Sequence, residues 1–268
     1  MRVDNFCAAL PSLWDGNPQS ADHPRDRKFR DVIAETGGMA TENKLAVLNL
    51  AASYMDPGEV YLEVGTYLGT SVIAATLGNA DKHFVAIDDF SQFGGPEDQC
   101  RENIGRLAEA PVRLIAADAW SVLTSSQFEY SIGAYFYDGG HAFLDQWRAL
   151  AHAEPHLADE AIVIIDDSSH PIVKAANRTF AKTRPQFEKI LGMDSARNGE
   201  PRWWNGVDVF AYRRCRSAPG RGPGVARFVY AAPYEVGRNR ILPFPKTIAR
   251  KALHLPTTGS ASKPEDNG

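Results

Sequence analysis

Five short stretches of this 268-residue sequence gather side chains that can do chemistry. Two are acidic and follow apolar runs: Ala134-Tyr-Phe-Tyr-Asp138-Gly-Gly-His141 and Ile162-Val-Ile-Ile-Asp166-Asp167-Ser-Ser-His170. Three carboxylates brought together would repel unless a cation sat between them. Oxygen donors with open positions suit a hard divalent ion, Mg²⁺ most simply. Such an ion binds substrate oxygens and lowers a hydroxyl pKa. The plain alternative is that Asp166 or Asp167 caps a following helix. His141 has an ordinary pKa suited to taking a proton near neutrality. Equally, it reads as a helix-start histidine that orients Asp138. His170 and Lys174 are further basic groups, and His152 and His156 read as structural.

The third stretch is Tyr61-Leu-Glu63-Val-Gly65-Thr66-Tyr-Leu-Gly69-Thr-Ser71. Gly65 and Gly69 allow a tight turn and close approach to a ligand. The spacing is neither that of a dinucleotide fingerprint nor that of a phosphate loop with its lysine. Glu63 would repel a pyrophosphate and suits a cationic group such as an amino-acid ammonium. A glycine turn without any ligand is the bland reading. The fourth stretch ends in Asp88-Asp89, where a carboxylate can accept both hydroxyls of a ribose. The fifth, Ala116-Ala-Asp118-Ala119-Trp120, offers Asp118 to an adenine amino group or as a helix N-cap. Together they describe an adenosine ligand with a cationic amino-acid tail.

These groups need elements to position them. A helix is expected over Thr41–Tyr54. Strands are expected at Val60–Val64, His83–Ile87, Val112–Ala116, Ile132–Tyr137 and Ala161–Ile165, with helical stretches after each. That alternation implies α/β architecture: a doubly wound, mostly parallel, Rossmann-like sheet covered on both faces. Every chemical stretch then falls on the carboxyl-end rim. Phe187–Leu191 and Val207–Tyr212 read as a C-terminal antiparallel hairpin closing the sheet. Residues 1–40 read as an N-terminal cover and substrate segment, polar and broken by prolines. Residues 41–213 form the catalytic domain, and 214–268 a basic, Pro/Gly-rich extension, partly disordered.

On these motifs the chain resembles the class I S-adenosylmethionine (SAM)-dependent methyltransferases, over about residues 41–213. LEVGTYLGTS is similar to their first motif. The resemblance implies that Glu63, Gly65, Thr66, Gly69 and Ser71 lie near the methionine part, Asp88 at the ribose, and Asp118 with Ala119 at the adenine. It also places Asp138 near the cofactor, with or without metal. D-G-x-H followed 28 residues later by D-D resembles the metal-dependent macrocin and novobiocin sugar O-methyltransferases. That likeness implies metal ligands at Asp138, Asp166 and Asp167, whereas the catalytic candidates His141 and Asp138 come from the residues themselves. Gly140 departs from members that carry a second aspartate there. The expected activity is methyl transfer to a small-molecule hydroxyl, of a sugar moiety or natural product. A metal-free O- or N-methyltransferase and a nicotinamide oxidoreductase are the alternatives.

Composition bounds the rest. With 44% hydrophobic and 23% charged residues, the chain can bury a core. Residues 1–212 carry 18 Lys+Arg and 30 Asp+Glu, while 213–268 carry 11 and 3, so an acidic body precedes a basic tail. Cys7, Cys100 and Cys215 form no CxxC pair, which fits a reducing cytosol. With no signal-like or membrane-spanning run, a cytoplasmic location is expected. The expected partner is a small-molecule acceptor, not nucleic acid. Membrane attachment through Lys246–His254 is disfavoured, and a homo-oligomer is left open. Trp14, Phe90, Phe93, Trp203 and Trp204 could stack on an acceptor or pack against the sheet.

Overall fold

The computed structural model describes residues 1–195 and 199–214. The expectations for the tail beyond Arg214 lie outside the described residues.

Seven strands form one sheet: β1 (Glu59–Val64), β2 (His83–Asp88), β3 (Val112–Ala116), β4 (Ser131–Tyr137), β5 (Leu157–Asp166), β6 (Phe187–Met193) and β7 (Val207–Arg213). Their order is β3-β2-β1-β4-β5-β7-β6. β1 to β5 pair in parallel, and β7 runs antiparallel to both β5 and β6. The expected doubly wound sheet and its closing hairpin are present. The hairpin folds back so that β7 slots beside β5, which leaves β6 as the edge.

Side-chain alternation builds two cores from one sheet. On one face Tyr61, Phe84, Ala86, Phe136, Ile162 and Ile164 pack against α3 (Glu42–Ser53) and α4 (Thr70–Thr76). On the other, Leu62, Val64, Val85, Tyr135 and Val163 pack against α7 (Phe143–Ala153) and α8 (Pro171–Thr183). Helix α5 (Glu97–Leu107) follows β2, and the short α6 (Ala119–Leu123) follows β3. Local sequence sets several of these starts. Pro171 opens α8, where its missing N–H costs nothing. Asp118 caps α6 by accepting the Ser121 N–H at 2.8 Å.

The N-terminal segment differs from its polar appearance. Helix α1 (Val3–Ala9) and α2 (Phe29–Thr36) bury Val3, Phe6, Phe29 and Val32 in the first of the two cores, together with Leu10 and Trp14. Apolar residues come only about once per turn there, so prolines and charges mask the periodicity. Trp14 and Trp203 are packing groups, not acceptor contacts. Their rings lie 5.6 Å apart, and both are sealed from solvent. Trp14 Nε1–H donates to Asn43 Oδ1 and Trp203 Nε1–H to the Pro18 carbonyl, each at 2.8 Å.

The order reverses between β1 and β4. From β1 the chain winds outward to β2 and β3, and from β4 it winds the other way. A crevice must open outside the carboxyl ends at that point.

Candidate active site

Gly65 makes the crevice possible. Its φ is +88°, and a Cβ there would lie 2.0 Å from the Asp138 carbonyl oxygen. The ends of β1 and β4 therefore touch through backbone, fastened by the Asp138 N–H to the Val64 carbonyl at 2.9 Å. Gly69, at φ +84°, starts α4 against Ile104 and Cys100. A cleft of about 380 Å³ opens in front of the turn, within the range of small-molecule sites. Gly65, Asp88, Asp118, Ala119, Asp138, Asp166, Asp167 and His141 all line it.

Glu63 lies beneath the turn and off the cleft wall. Its side chain is fully buried, accepting from Ser71 Oγ at 2.8 Å and Tyr61 Oη at 3.0 Å. Burial raises its pKa to about 8, against the lowering effect of its hydroxyl partners. The direct ammonium contact read from sequence thus becomes an influence exerted through Ser71 and Thr66, which do face a small recess.

Asp88 ties two loops together. Its Oδ2 accepts the N–H groups of Thr66 and Tyr67 at 2.8 Å, and its Oδ1 accepts that of Phe90 at 2.7 Å. The carboxylate still faces the cleft. Asp118 takes the N-cap reading while also lining the cleft, so the two sequence readings are compatible here.

The acidic runs converge as expected, but in a different grouping. Ligating atoms of Asp138, His141 and Asp167 lie within 4.8 Å of one another. His141 Nε2 meets Asp167 Oδ2 at 2.5 Å. That hydrogen bond raises the His141 pKa against the opposing effect of burial. Burial works against the Asp167 carboxylate, yet His141, Lys44 and Asn205 outweigh it and hold its pKa below the ordinary value. Burial first, and then the charges of Asp166 and Asp167, push the Asp138 pKa well up. Asp166, beside them, is paired with the buried Lys44 of α3. Asp166 Oδ1 also accepts the Asp167 N–H at 2.6 Å.

Sequence reasoning missed Lys44 and Asn205. A signal existed for Lys44: it precedes Leu48 by four residues and Ala51 by seven, which puts it on the buried face of α3. Asn205 is placed only by the loop before β7, where its carbonyl accepts the Ser169 N–H at 2.8 Å. Two other basic groups are committed elsewhere. Lys174 pairs with Asp194 at 2.7 Å, and His156, just before β5 and away from the rim, contacts the Leu123 carbonyl. A Cβ at Gly140 would meet Asp145 Oδ2 at 2.8 Å, so the place of the second aspartate is crowded by a neighbouring carboxylate. Of the aromatics, Phe90, Phe93 and Trp204 face the cleft. Phe93 is 65% exposed and meets Tyr67 edge-on at 5.2 Å.

Residues 62–168 match the profile of a family described as a methyltransferase domain. A search of curated proteins finds no match to this sequence. Among solved structures, a Klebsiella pneumoniae protein assigned as an O-methyltransferase superposes with a TM-score of 0.55 at 18% identity, covering 79% of this chain and 96% of that one. A Staphylococcus aureus protein assigned as a caffeoyl-CoA O-methyltransferase gives 0.53 at 14%, covering 70% and 93%. A Geobacter sulfurreducens methyltransferase gives 0.50 at 16%, covering 79% and 96%. At such identities the neighbours establish the fold, and the matched domain supplies the class. The chain is a SAM-dependent methyltransferase. The oxidoreductase alternative is thereby set aside. Among the described residues, no helix is long and apolar enough to cross a membrane.

Proposed function

We propose that this enzyme methylates a hydroxyl of a small molecule, a sugar moiety or other natural product, with a divalent cation at its acidic rim. One observation supports this most: the convergence of Asp138, His141 and Asp167 beside the cleft at the β1/β4 crossover. The two carboxylates supply the oxygen donors that Mg²⁺ or Mn²⁺ takes, with the imidazole beside them. Asp138 and Asp167 would hold the ion, with Asp166 behind them. When bound, the ion would lower the pKa of an acceptor hydroxyl.

The chain's own residues divide the remaining work. His141 Nε2–H donates to Asp167, which leaves Nδ1 to take the proton of the acceptor hydroxyl. Asp167 holds the ring and stabilises the imidazolium that forms. When bound, SAM would supply its sulfonium methyl to that oxygen: an O–C bond would form as the S–C bond breaks, and S-adenosylhomocysteine would leave with the electron pair. Asp88 would read the ribose and the Asp118–Ala119 turn the adenine. Phe90, Phe93 and Trp204 wall the cleft. SAM is already activated, so most of the acceleration comes from holding two reactants in line.

The test is transfer of labelled methyl groups to a panel of glycosides, phenols and amines, with and without EDTA. Hydroxyl acceptors should be methylated, EDTA should abolish turnover, and His141→Gln should lower kcat by about a hundredfold or more. The His141 variant should keep its SAM affinity. Turnover indifferent both to EDTA and to Asp138→Asn would remove the ion. Methylation of amines alone would replace the hydroxyl reading with N-methylation.

A further inference from the structure

The methionine end of SAM carries an ammonium and a carboxylate, and an acidic rim can answer only the first. We propose that Lys44 anchors the carboxylate. This rests on the chain being a SAM-dependent methyltransferase.

Lys44 projects from α3 into a recess under the glycine turn, walled by Thr66, Thr70 and Ser71. The recess shares Gly65, Tyr67, Asp138 and Asp166 with the main cleft, so it continues the same site inward. Among the described residues lining it, Lys44 is the one cation. The lysine side chain is 3% exposed. An ammonium has three donors, and Asp166 accepts one of them. A buried group seldom leaves donors idle. Two therefore remain for an anion, in surroundings of Leu45, Leu48 and Phe136 that strengthen a charge pair.

Four amides of the glycine turn are already taken. Backbone N–H groups of a glycine turn can hold a carboxylate or phosphate. Here the Gly65 N–H donates to the Ile87 carbonyl and the Gly69 N–H to that of Thr66. The Thr66 and Tyr67 N–H groups both go to Asp88. Those four amides are thus closed to a carboxylate, while Lys44 is open to one. The same ammonium holds Asp166, so the lysine links the cofactor's tail to the acidic rim.

Calorimetry with SAM and with decarboxylated SAM, which lacks only the carboxylate, tests this on the full chain. The wild type should bind SAM roughly tenfold or more tightly than the decarboxylated form. Lys44→Met should lose that preference by weakening SAM while leaving the decarboxylated ligand nearly unchanged. Should Lys44→Met fail to fold because Asp166 is left unpaired, the double variant Lys44→Met, Asp166→Asn carries the same comparison. Equal binding of both ligands by the wild type, or a full preference kept by the variants, overturns the proposal. A wild type that binds neither ligand would instead overturn the cofactor reading.

Discussion

Replacing Glu63 by glutamine should make the protein's stability much less sensitive to pH. Glu63 is fully buried, with Ser71 and Tyr61 donating to its two oxygens. Its pKa moves from 4.5 to about 8, chiefly because burial disfavours the charged form. Between those values the folded protein keeps a proton that the unfolded chain has released. The protonated glutamic acid's stabilisation is complete below pH 4.5 and is lost as pH rises through about 8. Each pH unit costs about 1.4 kcal/mol, so the whole span is on the order of 5 kcal/mol. Glutamine mimics the neutral acid and cannot ionise. Urea unfolding from pH 4 to 9 on wild type and Glu63→Gln isolates this group, because other titrations cancel in the difference. The variant's relative stability should climb steadily and level off above about pH 8. A flat difference across that range would refute the reasoning, because it would mean that Glu63 is ionised in the fold throughout.

Two further outcomes follow from the cleft. Gly65→Ala must place a Cβ 2.0 Å from the Asp138 carbonyl oxygen at φ +88°. Left-handed strain and the forced separation of β1 from β4 should cost about 3 kcal/mol in urea unfolding and abolish SAM binding in calorimetry. Trp204→Ala should raise the acceptor KM about tenfold, the worth of one aromatic contact, while the calorimetric Kd for SAM stays unchanged.

Much of the site was legible because strand ends are legible. Apolar runs that stop at Glu63-Val-Gly65, Asp88, Asp138 and Asp166-Asp167 announce their own positions. A parallel sheet sends all those carboxyl ends to one rim. What the runs do not state is which carboxylate faces which neighbour. Strand period 2 turned Glu63 to the face covered by α3 and α4, where Ser71 and Tyr61 cover it, and helix period 3.6 brought Lys44 onto Asp166. The aromatics show the same limit. Trp203 and Trp204 are adjacent in sequence, yet one fills the core beside Trp14 and the other lines the cleft. Composition could not separate them.

The sequence by itself determined the alternation of strands and helices, the glycine turn and the acidic strand ends. These are local properties, written in periodicity and in residues that tolerate special backbone angles. Tertiary structure alone decided the placement of β7 beside β5, the burial of the N-terminal segment and the pairing of His141 with Asp167. It also brought Lys44 from 122 residues away to Asp166. Such contacts join elements far apart in the chain. Their geometry is set by how two helical layers pack on one twisted sheet, and no short window of sequence carries it.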